Sequence, residues 1–162
     1  YLEVISAKTA KLFAAAAEIG AVVAERSDGE RATLLRFGHN IGMAFQIIDD
    51  VLDYSAHQKT LGKTVGDDFR EGKITLPVVL AFNGGDEQAR SFWRRTMEDL
   101  EQKKGDFKRA VSLMENSGAL RATVERAKLY GAQALDALAE FGDCPEKASL
   151  KEAVDFAINR TY

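Results

Sequence analysis

Between Gly38 and Tyr54 the chain reads as a helix that is mostly apolar, save for one narrow polar stripe, within a second helix from about Glu30 to Ser55. The stretch Gly38-His39-Asn40-Ile41-Gly42-Met43-Ala44-Phe45-Gln46-Ile47-Ile48-Asp49-Asp50-Val51-Leu52-Asp53-Tyr54 contains no proline and only two glycines, and it reads as helix. At about 100° per residue with Asp49 at zero, Gly42 falls near ~20°, Asp53 ~40°, Gln46 ~60°, His39 ~80° and Asp50 ~100°. Ile41, Phe45, Ile48 and Leu52 occupy the adjoining side, and Met43, Ile47, Val51 and Tyr54 much of the rest. Three carboxylates and an amide therefore share one face of a helix that is otherwise greasy. Aspartate is a poor helix former, and acids one turn apart repel each other. Something positive must stand opposite them.

The flanking pattern is helical as well. Tyr1, Ile5, Leu12, Ala16, Ile19 and Val23 recur at three- and four-residue steps and predict a first helix from 1 to about 25 with one apolar stripe. Lys8 lies on that stripe with Thr9 beside it. It reads either as a lysine that runs its stem along the core and puts its ammonium in water, or as one aimed into a polar cavity to hold an anion. Residues 57–73 hold three glycines and read as a long loop, a candidate for function, which brings Lys59, Lys63 and Lys73 back toward the carboxyl end of the aspartate helix. Thr75 predicts a helix N-cap with Pro77 in the first turn, and Leu76–Phe82 is apolar enough to be buried. Further helices follow near 86–103, 106–116 and 119–141, and from Pro145 to about Asn159, with Trp93, Leu113, Leu120, Leu129 and Leu138 as core positions. Glu98, Asp99 and Glu101 read as a solvated face. No strand alternation is present, so the prediction is an all-α bundle, one domain over 1–162. The chain opens inside what reads as a running helix, without an initiator methionine, and is expected to be the C-terminal half of a longer polypeptide.

Composition narrows the function classes. With 162 residues, 46% hydrophobic and 29% charged, the chain has the make-up of an ordinary globular protein. A formal charge of −3 gives no support to general nucleic-acid binding. The single Cys144 excludes an internal disulfide and fits a reducing, cytoplasmic setting. No apolar run approaches the ~20 residues of a membrane span. Zinc-type Cys/His spacing, a nucleophile elbow, a P-loop and a dinucleotide fingerprint are all missing from the sequence, and His39 reads as a satisfied helix histidine. Hard oxygen ligands at the spacing of Asp49, Asp50 and Asp53 suit Mg²⁺, which takes one or two carboxylates and fills its shell with water and phosphate oxygens. Three acids together with Lys8, Lys63 and Lys73 describe a site for a metal-bound polyphosphate. The apolar flank of Phe45, Ile48 and Leu52 suits a greasy remainder of the ligand.

These residues also carry a family resemblance. Phe45-Gln46-Ile47-Ile48-Asp49-Asp50-Val51-Leu52-Asp53 resembles the second aspartate-rich motif of the trans-polyprenyl diphosphate synthases, which have an all-α isoprenoid-synthase helical bundle. Lys8-Thr9, Gly62-Lys63 and Gly72-Lys73-Ile74-Thr75-Leu76-Pro77 follow in the order and at roughly the separations of that family. The resemblance implies Mg²⁺-dependent head-to-tail condensation of isopentenyl diphosphate onto an allylic diphosphate. By that resemblance Asp49 ligates Mg²⁺, Asp50 and Asp53 complete or order its shell, and Lys8 and Lys63 hold diphosphate oxygens. Thr9 and Gln46 lie near the allylic carbon and its leaving oxygen, Phe45 lines the site, and Lys73 is a further diphosphate contact. A homodimer is implied, and the wording leans toward a long-chain, quinone-side-chain type. The first aspartate-rich motif of the family does not occur in these 162 residues. The chain alone is therefore expected to be inactive. The competing expectation is a non-catalytic regulatory subunit of a heteromeric synthase.

Overall fold

The computed structural model describes residues 1–55 and 65–160, and all the regular structure among them is helical. The elements are α1 (Leu2–Ile5), a π-helical turn (Ser6–Ala10), α2 (Lys11–Val23), α3 (Asp28–Leu52), α4 (Asp67–Arg70), α5 (Leu76–Gly84) and α6 (Glu87–Trp93). A second π-helical turn (Arg94–Glu98) leads on to α7 (Asp106–Asn116), α8 (Ala119–Leu138) and α9 (Pro145–Asn159). The all-α expectation holds. Lys59 and Lys63 lie outside the described residues.

The chain forms two compact units. One contains Leu2–Ile48 and Arg126–Arg160, and is built on Phe37, Ile41, Ala134, Ala137, Leu138, Val154 and Ala157. The other contains Tyr1 and Asp49–Glu125, and packs Tyr54, Phe69, Val78, Ala81, Phe92, Trp93, Met97, Ala110 and Met114 together. Local chemistry sets the helix starts. Thr75 is extended and Pro77 sits in the first turn of α5, where a missing N–H costs nothing. The Asp86 carboxylate accepts from the Ala89 N–H at 2.8 Å and caps α6. The Cys144 thiol accepts from the Lys147 N–H, with Pro145 opening α9.

Four expectations need correction. The first helix is interrupted by the π turn, and its outer face carries the large apolar residues: Leu12 is 74% exposed, Ile19 62% and Val23 80%. The buried side instead holds Ala10, Ala14 and Ala21, because α2 approaches α3 closely where Gly38 and Gly42 offer no side chain. The helix expected over 86–103 stops at Glu98, before Leu100 takes a left-handed φ of 56°. Leu129 is exposed, since α8 buries mostly small residues such as Ala119, Thr123, Ala127 and Ala134. The described end of the loop contains the short helix α4, held at its N-terminus by an aspartate described below.

Candidate functional site

α3 runs unbroken through Gln46, Asp49 and Asp50 and ends at Leu52, one residue before Asp53. In the unit that holds the acids, Asp49 and Asp53 are half-buried, whereas Asp50 is buried with 3% of its surface exposed. A buried carboxylate needs hydrogen-bond donors. One comes from Tyr1, whose phenol donates to Asp50 Oδ2 across 49 residues. Burial first, then the charge of Asp50, pushes the Tyr1 phenol well above its usual value, so it stays protonated and able to donate.

Asp53 has a different task. Its Oδ1 accepts from the Asp67 N–H at 3.2 Å and its Oδ2 from the Asp68 N–H at 2.9 Å. The Asp53 carbonyl accepts from the Gly66 N–H at 2.9 Å. The side chain thus caps α4 and fastens the far end of the 56–64 connection to the end of the aspartate helix. Burial first, then the neighbouring charge of Asp68, raises the Asp53 carboxyl above its ordinary value, while the two backbone donors oppose the rise. Lys73 Nζ contacts Asp68 at 3.0 Å and Glu71 at 2.7 Å, so its ammonium is already balanced by carboxylates of its own segment.

In the other unit the π turn presents Lys8 outward and Thr9 inward. Thr9 Oγ1 donates to Gln46 Oε1 at 2.9 Å, which fixes the orientation of the amide. Ser6 Oγ and His39 Nε2 lie 3.0 Å apart, the partner expected for a satisfied helix histidine. Phe45 packs on Phe13 with ring centroids 5.4 Å apart, while the Arg160 guanidinium covers its ring at 3.8 Å. Arg160 also donates to the Phe45 carbonyl at 2.8 Å. This phenylalanine is therefore an aromatic already stacked by a cation.

Among the described residues, no three His, Cys, Asp or Glu side chains gather into a ready metal cage. The donor set still fits Mg²⁺, which needs only one or two carboxylates from the protein and takes the rest of its octahedron from water and phosphate. Asp49 and Asp50 can supply those, while Asp53 spends both oxygens on α4. Sequence reading missed Tyr1, which it placed among core positions, and Asp68, whose side chain pairs with Lys73. No local pattern announces a partner 49 residues away, but the acidic pair Asp67-Asp68 so soon after Asp53 was a usable signal.

Residues 1–114 match the family model described as polyprenyl synthetase. The chain is 35% identical over its whole length to the octaprenyl diphosphate synthase of Haemophilus influenzae, covering 49% of that protein. It is 37% identical to the geranylgeranyl diphosphate synthase of Methanosarcina mazei, over all of this chain and 48% of that one. Among solved structures, a polyprenyl synthase from Caulobacter crescentus, complexed with calcium and isoprenyl diphosphate, superposes with a TM-score of 0.94 at 48% identity. That match covers 99% of this chain and 49% of the other. A decaprenyl diphosphate synthase from Rhodobacter capsulatus gives 0.89 at 39% identity, over 100% of this chain and 49% of that one. The chain spans about half the length of the relatives it matches.

Proposed function

The chain belongs to the polyprenyl synthetase family, of which it is a C-terminal portion with the isoprenoid-synthase fold, and on that premise we propose that it forms the second-motif half of a Mg²⁺-dependent prenyltransferase. The reaction proposed is head-to-tail condensation of isopentenyl diphosphate onto an allylic diphosphate, giving a polyprenyl diphosphate. The observation that carries the reading is the acidic end of α3: a costly cluster of aspartates with Asp50 buried and given a phenol donor, and Asp53 organising the segment that leads to Lys73. A fold gains nothing from burying such charge for its own sake. When bound, Mg²⁺ would neutralise diphosphate oxygens and so stabilise the leaving anion.

The remaining roles belong to the protein. Asp49 and Asp50 would hold the ion, with Asp53 ordering its surroundings through α4. Lys8 and Lys63 would clamp diphosphate oxygens as point charges. The Thr9 hydroxyl and Gln46 carbonyl form a fixed pair of dipoles suited to a developing allylic cation, a positive charge that ordered oxygens stabilise without reorganising. Lys73 would reach a diphosphate only by exchanging Asp68 or Glu71 for it. Phe45 would line the apolar side of the site.

We place residues 1–162 in a single all-α domain, cytoplasmic, acting in a homodimer. Among the described residues, no helix is long and apolar enough to cross a membrane. The outward face of α2, with Leu12, Ile19 and Val23 exposed, supports the half-protein reading, since large apolar faces of this kind are normally covered. The test is incorporation of labelled isopentenyl units by the full-length protein and by this chain alone. Full-length protein should elongate an allylic primer and lose at least about a hundredfold of its rate when Asp49 and Asp50 become alanine, while the isolated chain stays inactive. A rate indifferent to both aspartates would replace this reading with the regulatory-subunit one.

A further inference from the structure

We propose that Tyr1 is a positioning residue for the metal-binding carboxylate of Asp50, an inference that rests on the prenyltransferase reading above. Two observations converge on its hydroxyl. It donates to Oδ2 of a carboxylate that is 3% exposed. The phenol is itself largely withdrawn from water, and that burial is the main reason it keeps its proton and stays a donor. A single phenol therefore ties Tyr1 to the acidic end of α3, 49 residues further along the chain.

The consequence for a metal site is geometric. An aspartate carboxylate, one methylene from the backbone, turns about its Cβ–Cγ bond unless a donor fixes one oxygen. The Tyr1 hydroxyl fixes Oδ2, and hence the plane in which the carboxylate can meet an ion. Outer partners that orient a ligating carboxylate in this way typically change metal affinity about tenfold or more when removed. Tyr1 need not touch metal or substrate to have this effect.

The experiment is Mn²⁺ binding to the full-length protein by electron paramagnetic resonance, with the Mg²⁺ dependence of prenyl transfer as a second readout. The variants are Tyr1→Phe, Asp50→Asn, the double variant and the Asp49→Ala/Asp50→Ala pair. Phenylalanine keeps the packing and removes only the hydroxyl that donates to Asp50. The expected result is an Mn²⁺ affinity lowered about tenfold in Tyr1→Phe, a parallel rise in the Mg²⁺ needed for half-maximal rate, and activity recovered as Mg²⁺ is raised. In the Asp50→Asn background the same change should add little, because the group being positioned is gone. A Tyr1→Phe protein that binds Mn²⁺ like wild type, or that loses as much affinity with Asp50→Asn as without it, overturns the proposal and leaves the prenyltransferase reading standing. If Mn²⁺ binding and prenyl transfer are both indifferent to the Asp49→Ala/Asp50→Ala pair, the parent reading fails and this one with it.

Discussion

The same chemical change, glycine to alanine, should have opposite signs at two places in the α2–α3 pair. A Cβ built on Gly38 would lie 2.3 Å from the Phe13 carbonyl oxygen and 2.7 Å from Ala14 Cα; one on Gly42 would lie 2.8 Å from Ala10 Cα and 3.0 Å from Phe13 Cβ. Normal carbon contacts begin near ~3.5 Å, so each methyl overlaps backbone by about 1 Å. Backbone cannot rotate aside as a side-chain tip can, and the helices must part. Overpacking of this kind costs about 3 kcal/mol at its upper end. Alanine recovers about 1 kcal/mol of helix propensity. The net for Gly38→Ala is a loss of about 2 kcal/mol. Gly20, inside α2, has nothing within 4 Å of its would-be Cβ, so Gly20→Ala should gain about 0.5–1 kcal/mol. Urea unfolding of the full-length protein reads both, as midpoint shifts at constant slope. Gly42→Ala adds a functional consequence: an opening of about 1 Å would carry the 2.9 Å Thr9–Gln46 bond beyond hydrogen-bonding range and lower the turnover rate. If Gly38→Ala and Gly20→Ala shift the midpoint in the same direction, the close approach is not what the glycines are for.

The other predictions concern particular carboxylates and one lysine. Asp106 accepts from Arg95 at 2.9 Å and from the Lys103 N–H at 2.8 Å, and Arg95 is the main cause that holds its carboxyl below the ordinary value. Its contribution is therefore present above the unfolded pKa of about 3.9 and lost as pH falls through the lower folded value. Asp106→Asn should cost about 1 kcal/mol at neutral pH, after allowance for the partly exposed partner, and should flatten the stability profile below pH 4; an unchanged profile would remove the pair from the account. Asp53→Ala should release α4, seen as faster amide exchange at Asp67 and Asp68 with α5 still protected. Protection retained at both amides would show that α4 holds without its cap. Lys73→Ala should leave diphosphate affinity within about threefold of wild type, because its ammonium is already paired with Asp68 and Glu71. A tenfold loss measured by calorimetry would make it a direct contact.

The sequence made the helices and the acidic stripe legible, and it failed where one extra residue changes a register. Three-residue and four-residue spacing placed Ile5, Leu12, Ile19 and Val23 on one face, which assumes an unbroken α-helix. The π turn at Ser6–Ala10 inserts a residue and rotates everything after it by about 100°. Ile5, ahead of the turn, is buried as expected; Leu12, Ile19 and Val23, beyond it, swing outward, and the alanines Ala10, Ala14 and Ala21 take their place. Nothing in Ser6-Ala7-Lys8-Thr9-Ala10 announces a π turn by composition. The site shows the same division. Asp49, Asp50 and Asp53 were visible as a set because they lie on or beside one helix, where spacing alone fixes direction. Their separate tasks were not visible, because what distinguishes Asp50 from Asp53 is the partner each meets: a phenol 49 residues upstream for one, and two backbone amides 14 and 15 residues downstream for the other. Spacing tells which side chains can act together, and long-range partners decide what each of them does. By that logic Asp53→Ala, which removes the cap of α4, should lower Mn²⁺ affinity less than Asp50→Ala does. An Asp53→Ala variant with the larger loss would mean that capping α4 is not its main task.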